Sequence, residues 1–265
     1  MSEFFKHAIV ALTLTACSTF TQPAAAKPAF DAFEVATIKP TAPDWTGGRF
    51  ILLQGDQFIA RNHALKTLIA AAYNVFPGAI SGGPAWVDSD HYDILAKTPG
   101  EDRPSLDDQM SMLAKLLGDR FKLTFHREQK TLSYYALTVD RTGSKLKPPT
   151  ESTGDRVPLI FVISPQNARL PGRNASMAEL ASVMQRAALD RPVVDKTGLS
   201  GRYDFDLEWM PDETQFSGVM PPGTTAPSKP DLFAALQQQL GLRLEAARGE
   251  IEVLVIDQVE RPSEN

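Results

Sequence analysis

The sequence contains a single cysteine, Cys17, and none follows it. The chain after this position can therefore form no internal disulfide, and it offers no cysteine nucleophile. It also lacks a run of about eighteen consecutive apolar residues, the length that a membrane-spanning helix requires. We expect a folded part without disulfides or membrane helices, which has to be stabilised by packing alone.

An excess of positive charge is missing too. There are 27 lysines and arginines against 32 aspartates and glutamates, and the formal net charge is −5. Because nucleic acids are bound through a basic face, we expect no nucleic-acid partner. The hydrophobic share of 43% is ordinary for a globular protein, and 265 residues suffice for one large domain or two small ones.

The histidines lack the spacing of a metal site. His63, His91 and His126 are scattered along the sequence, without the paired spacing that zinc enzymes use. The acidic stretch Asp88–Asp93 has too few oxygen ligands for a calcium loop. Phosphate-binding and dinucleotide-binding glycine motifs are absent as well. The sequence therefore predicts no metal site and no cofactor.

Catalytic motifs occur only as fragments. Ser144–Lys147 and Lys196–Gly198 match two short motifs of penicillin-recognising serine enzymes. In those enzymes the serine opens a buried helix, whereas here Pro148 and Pro149 follow at once and oppose helix formation. We therefore assign no catalytic residue.

The N-terminal residues have the features of an export signal. The apolar run Ala8–Ala16 is too short for a permanent membrane span. Two processing sites compete after it: Leu14–Cys17 resembles a lipobox, with Cys17 as the lipidation site, and Ala24–Ala26 fits cleavage before Lys27. The protein is thus expected to be exported, either periplasmic or lipid-anchored to the outer membrane. Any membrane contact would be made through the lipid anchor.

The remainder of the chain contains the same short patterns twice, in the same order. Arg61-Asn62, followed by apolar residues at helical spacing, has a counterpart in Arg173-Asn174. His91–Ile94 corresponds in the same way to Arg202–Phe205. The other pairs are Met110–Leu123 with Leu232–Leu244, and Tyr135–Asp140 with Val253–Asp257. We interpret this ordered recurrence as an internal repeat.

These patterns predict an α+β fold of two related repeats, each a small sheet with two helices on one face. Residues 1–26 form the signal peptide or lipoprotein anchor and tether, residues 30–150 the first repeat, and residues 151–265 the second. Glu151–Arg156 is expected to separate the repeats, and Pro211–Pro230 is expected to be an exposed, mobile loop.

Local signals place several elements within the repeats. Phe33–Ile38 alternates like a half-buried strand, and residues 49–61 are expected to form a hairpin that turns at Gly55-Asp56. Polar residues are predicted to cap four helices. They are Asn62 for a helix through Tyr73, Ser105 with Asp108 for a helix that ends before Gly118, Asn174 or Ser176, and Asp231.

Two loop segments are the candidates for a binding surface. Arg191–Phe205 combines tight-turn glycines with charged side chains, and Ser81–Asp88 has the corresponding place in the first repeat. Their polar side chains could instead act as local caps for nearby backbone amides. The candidate binding residues are Trp86, Asp88, Asp195, Lys196, Arg202 and Tyr203.

With these residues in view, the chain resembles an exported family of unknown function that is expanded in soil bacteria. The matching segments are Phe33–Pro40, Gly82–Trp86, Asp119–Leu123, Arg191–Phe205, and the stretch from Gln239–Leu242 to Val255–Asp257. The family also occurs fused behind antirepressor-type M56 metallopeptidases, which are membrane sensors. Since it has no established catalytic residues, the resemblance implies export and a non-catalytic role.

A second, weaker resemblance concerns the C-terminal pattern from Leu232 to Ile256. It is similar to the short N-terminal domain of secretins and TonB-dependent transducers, which binds protein partners in the periplasm.

Three functions are open at this point. The first is a binding or interaction module of the cell envelope, whose partner is an envelope protein or a glycan-type ligand. The second is a sensor input domain that acts with a membrane peptidase. The third is a hydrolase with Asp and His groups around Asp88–Asp93 or Asp195, which would require two ionisable groups to converge in a cleft.

Overall fold

The structure is a computed structural model, and it describes residues 30–100, 104–150, 159–164, 167–212, 215–218 and 229–262. These residues form both sheets and helices, which confirms the α+β class. Residues 1–29, the predicted separator Glu151–Arg156 and most of the predicted loop Pro211–Pro230 lie outside them. None of the helices in the described ranges is long and apolar enough to cross a membrane.

Eleven strands are described. They are β1 Val35–Pro40, β2 Phe50–Gln54, β3 Gln57–Ala64, β4 Ile80–Gly82, β5 His91–Lys97, β6 Thr124–Val139, β7 Val162–Ser164, β8 Asn167–Ser176, β9 Val193–Asp195, β10 Arg202–Trp209 and β11 Leu242–Gln258. The helices are α1 Leu65–Ala72, α2 Trp86–Ser89, α3 Leu106–Phe121, α4 Met177–Ala187 and α5 Leu232–Ala235, which continues as a π-helical turn at Leu236–Leu240.

The strands of the described residues form three sheets. The first sheet has the order β1-β5-β3-β2, the second has the order β10-β8-β7, and the central sheet has the order β4-β11-β6-β9. The central sheet contains two strands from before residue 150 and two from after it. The prediction of one small sheet in each half did not include this shared sheet. The predicted boundary between residues 150 and 151 itself stays a prediction.

A long two-stranded ribbon is the axis of the central sheet. β6 and β11 pair antiparallel along their whole length, from Thr124 opposite Gln258 to Val139 opposite Leu242. The sequence patterns had identified only one end of each strand. The short strand β4 pairs in parallel with one end of β11, and β9 pairs in parallel with the opposite end of β6.

Both ends of one ribbon face are apolar, and each end completes a separate core. Successive residues of a strand point to opposite faces, so directly paired residues share a face. Leu254 and Ile256 join the core that contains α1, α3 and the first sheet. Leu137 and Leu242 join the core that contains α4, α5 and the second sheet. Each core therefore combines helices, a small sheet and one ribbon end, and we call these units the first and second lobes.

Helix caps follow the sequence signals at several termini. Ser105 and Asp108 form a capping box at the start of α3, and Ser176 forms one with Glu179 at the start of α4. The Asp231 carboxylate accepts a hydrogen bond from the Ala234 N–H at the start of α5. The predicted caps at Ser105, Ser176 and Asp231 are confirmed. They could be predicted from the sequence because capping depends on residues only three positions apart.

The predicted end of α3 before Gly118 is wrong. The helix continues to Phe121, which is fully buried, and it ends where Lys122 adopts a left-handed conformation with φ of 52°. Glycine inside a helix costs about 1 kcal/mol relative to alanine, whereas burying a phenylalanine contributes about 1.5–3 kcal/mol. Burial of Phe121 therefore outweighs the helix-breaking tendency of Gly118.

The predicted cap at Asn62 is also wrong. Asn62 and Asn174 have φ of 57° and 51°, and both lie inside strands, at irregularities where the strand register shifts. Asparagine tolerates this left-handed conformation better than most residues. The N-cap of α1 is Ala64, which forms no side-chain cap, and α1 ends at Ala72, one residue before the predicted end.

Contact between β4 and β11 leaves no room for a side chain at Gly82. A Cβ there would lie 2.6 Å from the Ile256 carbonyl oxygen, and φ is +78°. At Gly55 φ is +61°, but nothing lies within 4 Å of the corresponding Cβ. We expect Gly55→Ala to lower the free energy of unfolding by about 1–2 kcal/mol through left-handed strain. Gly82→Ala should lower it by roughly twice as much, because the clash adds to the strain.

Urea unfolding of the two variants measures this difference. Equal losses at Gly55 and Gly82 would contradict the close approach of β4 and β11.

Candidate functional site

In the first lobe, the Asp93 carboxylate on β5 holds three segments together. It accepts hydrogen bonds from the Asn62 N–H at 2.9 Å, from Thr41 Oγ1 at 2.9 Å and from the Arg61 guanidinium at 2.7 Å. Burial alone would raise the pKa of Asp93, but these hydrogen bonds lower it below its usual value. These hydrogen bonds hold β3 in place at Asn62, where the strand register shifts.

In the second lobe, Asp204 on β10 makes a similar set of bonds. Its carboxylate accepts from the Asn174 N–H at 2.8 Å, and from the Thr150 N–H at 2.9 Å and Oγ1 at 2.8 Å. The hydrogen bond from the Asn174 backbone, followed by those from Thr150, lowers the pKa of Asp204. Both aspartates thus stabilise strand geometry.

Two histidines accompany Asp93 in the first lobe. His63 follows Asn62 and is buried; its Nδ1 lies 3.1 Å from Thr67 Oγ1, and its Nε2 has no hydrogen-bond partner. The Thr67 hydroxyl donates to the Ala64 carbonyl, so Nδ1 must be the protonated nitrogen that donates to Thr67. Nδ1 of His91 lies 2.6 Å from Asn62 Oδ1.

The environment of His63 disfavours its charged form. Its pKa is lowered to about 4, chiefly by burial and next by the nearby Arg49 cation. The Phe50 carbonyl opposes this shift, because it could accept a bond from a protonated ring, whereas the neutral Nε2 makes none. In the second lobe, Ala175 has the strand position that His63 has in the first, and it lies opposite Tyr203. Arg202 has the strand position of His91.

The predicted residues Trp86 and Asp88 lie on the short helix α2. The Asp88 carboxylate is 2.9 Å from Lys66 Nζ, and the Trp86 ring packs against the first core. The Arg261 guanidinium carbon lies 5.0 Å from the centre of the Trp86 ring. Asp88 therefore joins α2 to α1, and one face of the indole is covered by Arg261.

The other predicted residues lie at the opposite end of the ribbon. Asp195 Oδ1 accepts from the Thr197 N–H at 2.9 Å and from Thr197 Oγ1 at 2.7 Å, which forms a local turn. The Lys196 side chain is exposed, and its N–H donates to the Leu137 carbonyl. Arg202 pairs with Glu179 at 2.9 Å, and Tyr203 packs against the second core.

The structure does not bring the two candidate loops together. β4 begins opposite Leu254, and β9 begins opposite Tyr135, which pairs with Ala246. Eight positions (254 − 246) separate these points on β11, which corresponds to about 27 Å along the strand. One binding surface that includes both loops would therefore have to span this distance.

An open cleft lies between the lobes, over the centre of the ribbon. Its volume is about 370 Å³, which is within the size range of ligand sites. Gln129, Glu250 and Glu252 lie on the ribbon face that carries both cores, and they line the cleft there. The lining residues from the lobes are Asn74, Val75, Phe76, Ala79, Gln185, Pro192, Val193 and Val194, together with Ile251 of β11.

Polar contacts join the lobes beside this cleft. Ser182 Oγ on α4 bonds to Asn74 Oδ1, and Gln185 Nε2 donates to the Asn74 carbonyl at 3.4 Å. The side chain of Gln185 also accepts from the Val193 N–H, at 3.2 Å. These bonds fix the distance between the end of α1 and the end of α4, which sets the width of the cleft.

The chemistry of the cleft is acidic and partly apolar. Glu250 accepts a hydrogen bond from Thr131 at 2.6 Å, and Glu252 forms an ion pair with Arg127. No lysine, arginine, histidine or cysteine is among the described lining residues. Within the described ranges, no group of three or more His, Cys, Asp or Glu residues could hold a metal ion. The cleft is suited to an apolar segment with a cationic group.

Sequence reasoning missed this cleft. The residues that line it come from five separate stretches of chain, and none forms a motif. One feature of the sequence could have indicated it. The central residues of β6 and β11 are polar, which is typical of a strand surface that is not packed against a core.

The opposite ribbon face carries a histidine between two carboxylates. His126 Nδ1 lies 2.7 Å from Asp257, and Nε2 lies 3.1 Å from Glu128. Glu128 and then Asp257 raise the pKa of His126, which is exposed. Nδ1 is thus paired across the ribbon with Asp257 of β11, and Nε2 is paired with Glu128 on the same strand, β6.

Comparison with known proteins gives a family without an assigned function. A family model described as "Protein of unknown function (DUF3738)" matches residues 66–259. This agrees with the predicted resemblance to a family of unknown function. No curated protein and no solved structure matches the chain significantly.

Burial of His63 predicts a loss of stability in acid. The unfolded chain takes up a proton near pH 6.5, but the folded protein resists protonation until about pH 4. Neutral His63 therefore makes its full contribution to the free energy of unfolding above pH 6.5. As the pH falls from 6.5 to 4, the free energy of unfolding decreases by about 3 kcal/mol. In His63→Leu this part of the pH dependence should vanish, as measured by urea unfolding at a series of pH values.

His126→Gln is the matched control for His63→Leu. Folding raises the pKa of His126, so its contribution to stability is present below the pKa of the unfolded chain. That contribution is lost only as the pH rises through the pKa of the folded protein. The control should keep the acid-side slope between pH 5 and 6.5. An unchanged slope in His63→Leu would contradict the assigned environment of His63.

Proposed function

Because the chain belongs to the DUF3738 family, whose description assigns no function, we propose one from the geometry. The protein is an exported, non-catalytic binding protein of the cell envelope, and it holds a segment of a partner protein in the cleft between its lobes. The observation that carries this proposal is the cleft itself, where a polar ribbon centre and two apolar walls meet.

We also propose that the two lobes are related repeats. His91 pairs with Ala64 as Arg202 pairs with Ser176, and in both lobes a register shift follows. Lys39 lies opposite Asp93, and Lys147 lies opposite Asp204 in an isolated bridge. The second repeat then begins before Lys147, ahead of the predicted boundary between residues 150 and 151.

Binding accounts for the polar groups better than hydrolysis does. The carboxylates at the two predicted hydrolase positions are engaged locally: Asp88 pairs with Lys66, Asp93 accepts from the Asn62 N–H, and Asp195 accepts from the Thr197 N–H. In the cleft, Glu250 and Glu252 both lie on an exposed strand with partners of their own. A pair of catalytic carboxyl groups needs contrasting environments, whereas Glu250 and Glu252 are both exposed.

The lining favours a protein ligand over a glycan. Apolar walls beside two carboxylates complement an extended segment with a lysine or arginine side chain. Phe76 is the single aromatic side chain among the described lining residues, and the predicted binding residue Trp86 lies outside the cleft with Arg261 against it. The predicted similarity of Leu232–Ile256 to partner-binding envelope domains supports the same ligand class.

A role as a sensor input domain is the alternative, and it rests on the predicted kinship with domains fused to M56 metallopeptidases. Gene neighbourhood tests it directly. A peptidase or sensor gene that recurs beside this one would favour it, and consistent absence would count against it.

Photo-crosslinking inside living cells tests the cleft. A photoreactive residue in place of Phe76, on the cleft wall, should give a reproducible protein adduct, whereas one in place of Val162 should not, because Val162 is exposed outside the cleft. Glu250→Gln with Glu252→Gln should reduce the Phe76 adduct at least about tenfold, because two charge-assisted bonds are lost.

Glu245→Gln is the matched control, because Glu245 lies on the same strand but on the opposite ribbon face. It should leave the adduct unchanged. Identical adducts from Phe76 and Val162, or no adduct under any growth condition, would contradict binding in the cleft.

The intact mass of the mature protein tests export and distinguishes the two processing sites. A diacyl or triacyl adduct on Cys17 is expected for a lipoprotein, and it should disappear in Cys17→Ala. A mature chain that starts at Lys27 would select the other site. An unprocessed chain confined to the cytosol would contradict export.

A further inference from the structure

The outer face of the first sheet carries an exposed apolar row. Leu52, Ile59 and Leu95 are direct neighbours across β2, β3 and β5. Their strand neighbours Phe58 and Ile94 are fully or almost fully buried against the helices, so the row points away from the core. Leu52 and Leu95 are each 44% exposed.

The second sheet shows that this architecture does not require an apolar outer face. At outward positions of β8 and β10 it carries Arg169, Arg173, Asp206 and Glu208. Arg173 pairs with Asp206 at 3.0 Å, and Glu208 pairs with Lys229 at 2.9 Å. Among the described residues of the second sheet, the large exposed apolar side chains, Val162 and Ile163, belong to the edge strand β7, whereas the row of the first sheet crosses three strands. Exposed apolar patches mark contact surfaces.

Further apolar and basic side chains surround the row. Val35 and Phe50 lie on the same face, with exposures of 60% and 42%, and Trp45 is exposed in the loop before β2. Lys39 and Lys97 point outward from β1 and β5, and Lys97 pairs with Glu34 at 3.3 Å. Aromatic and aliphatic side chains with basic neighbours are the composition of proteins that rest on anionic lipid surfaces.

The length of the connecting chain limits the distance between this face and the predicted anchor. β1 is an edge strand of the first sheet, and Val35 follows Cys17 by 18 positions (35 − 17). A chain of this length spans at most about 60 Å. The inward face of this sheet and Leu254 of the ribbon share the first core, whereas the apolar row is on the sheet face turned away from that core.

We propose that the outer face of the first sheet docks on a lipid bilayer with anionic head groups. The docking rests on the proposed export of the protein, and it orients the cleft away from the membrane. A second copy of the chain is a poorer fit, because the six apolar side chains named above fall well short of the 20–30 residues on each side of a typical stable interface, about 800 Å² per partner.

Site-specific labelling tests the docking. The chain from Lys27 onward retains every described residue and contains no cysteine. A single cysteine in place of Leu95, labelled with an environment-sensitive dye, should shift to the blue on vesicles of phosphatidylethanolamine and phosphatidylglycerol. A label in place of Val162, which is 52% exposed in the second lobe, should not shift.

Substitution provides the second readout, by vesicle co-sedimentation. Leu52→Glu with Leu95→Glu should weaken vesicle binding at least tenfold, whereas Val162→Glu with Ile163→Glu should leave it unchanged. Unchanged circular dichroism would show that both variants fold. Equal shifts from both labels, no vesicle binding, or a dimer that Leu52→Glu with Leu95→Glu dissociates in light scattering would overturn the proposal.

The outcome is separable from that of the proposed function. Loss of docking with intact crosslinking at Phe76 would leave the cleft as the binding site. Vesicle binding without any crosslink at Phe76 would support the docking face and contradict the cleft as the ligand site.

Discussion

The pairing of β6 with β11 is the constraint on which the rest of the structure depends. Neither lobe completes its core from its own half of the chain alone, because Leu254 of β11 enters the first core and Leu137 of β6 enters the second. The backbone hydrogen bonds of the ribbon keep these two ends at a fixed separation. Since its central residues are polar, the same ribbon leaves a cleft between the lobes. Fold and candidate site thus have one physical origin.

Within each lobe, an aspartate holds a left-handed asparagine. Asp93 and Asp204 accept the N–H groups of Asn62 and Asn174, and a threonine hydroxyl completes each set. This arrangement satisfies backbone groups that the irregular strand would otherwise leave unpaired. It also explains why carboxylates that resembled catalytic candidates serve the fold. The first lobe differs in having two histidines there, one of which is buried without a partner for Nε2.

Sequence reasoning succeeded where the deciding contacts are local. The capping boxes at Ser105 and Ser176 depend on residues three positions away, and the hairpin at Gly55 depends on its turn. It failed at Asn62 because the same residue type suits a helix cap and a left-handed strand position. The contact that decides between them, with Asp93, is 31 positions away.

The length of the ribbon was equally hidden from the sequence. Gln129, Thr131 and Glu250 interrupt the apolar pattern, so only the ends of β6 and β11 could be identified as strands. Without that length, the loops with Trp86 and Asp195 could not be assigned to opposite ends of one sheet. The cleft could not be found for the same reason, since its position depends on where the two lobes meet the ribbon.

Native-state hydrogen exchange of the ribbon amides tests the central claim most directly. If β6 and β11 unite the lobes, amides near Leu137 and near Leu254 should open with the same free energy, equal to that of global unfolding. Destabilising one lobe, for example by Gly82→Ala, should then lower protection at both ends. Different opening free energies at the two ends, with only the first lobe responding to that substitution, would contradict a structure that depends on a shared ribbon.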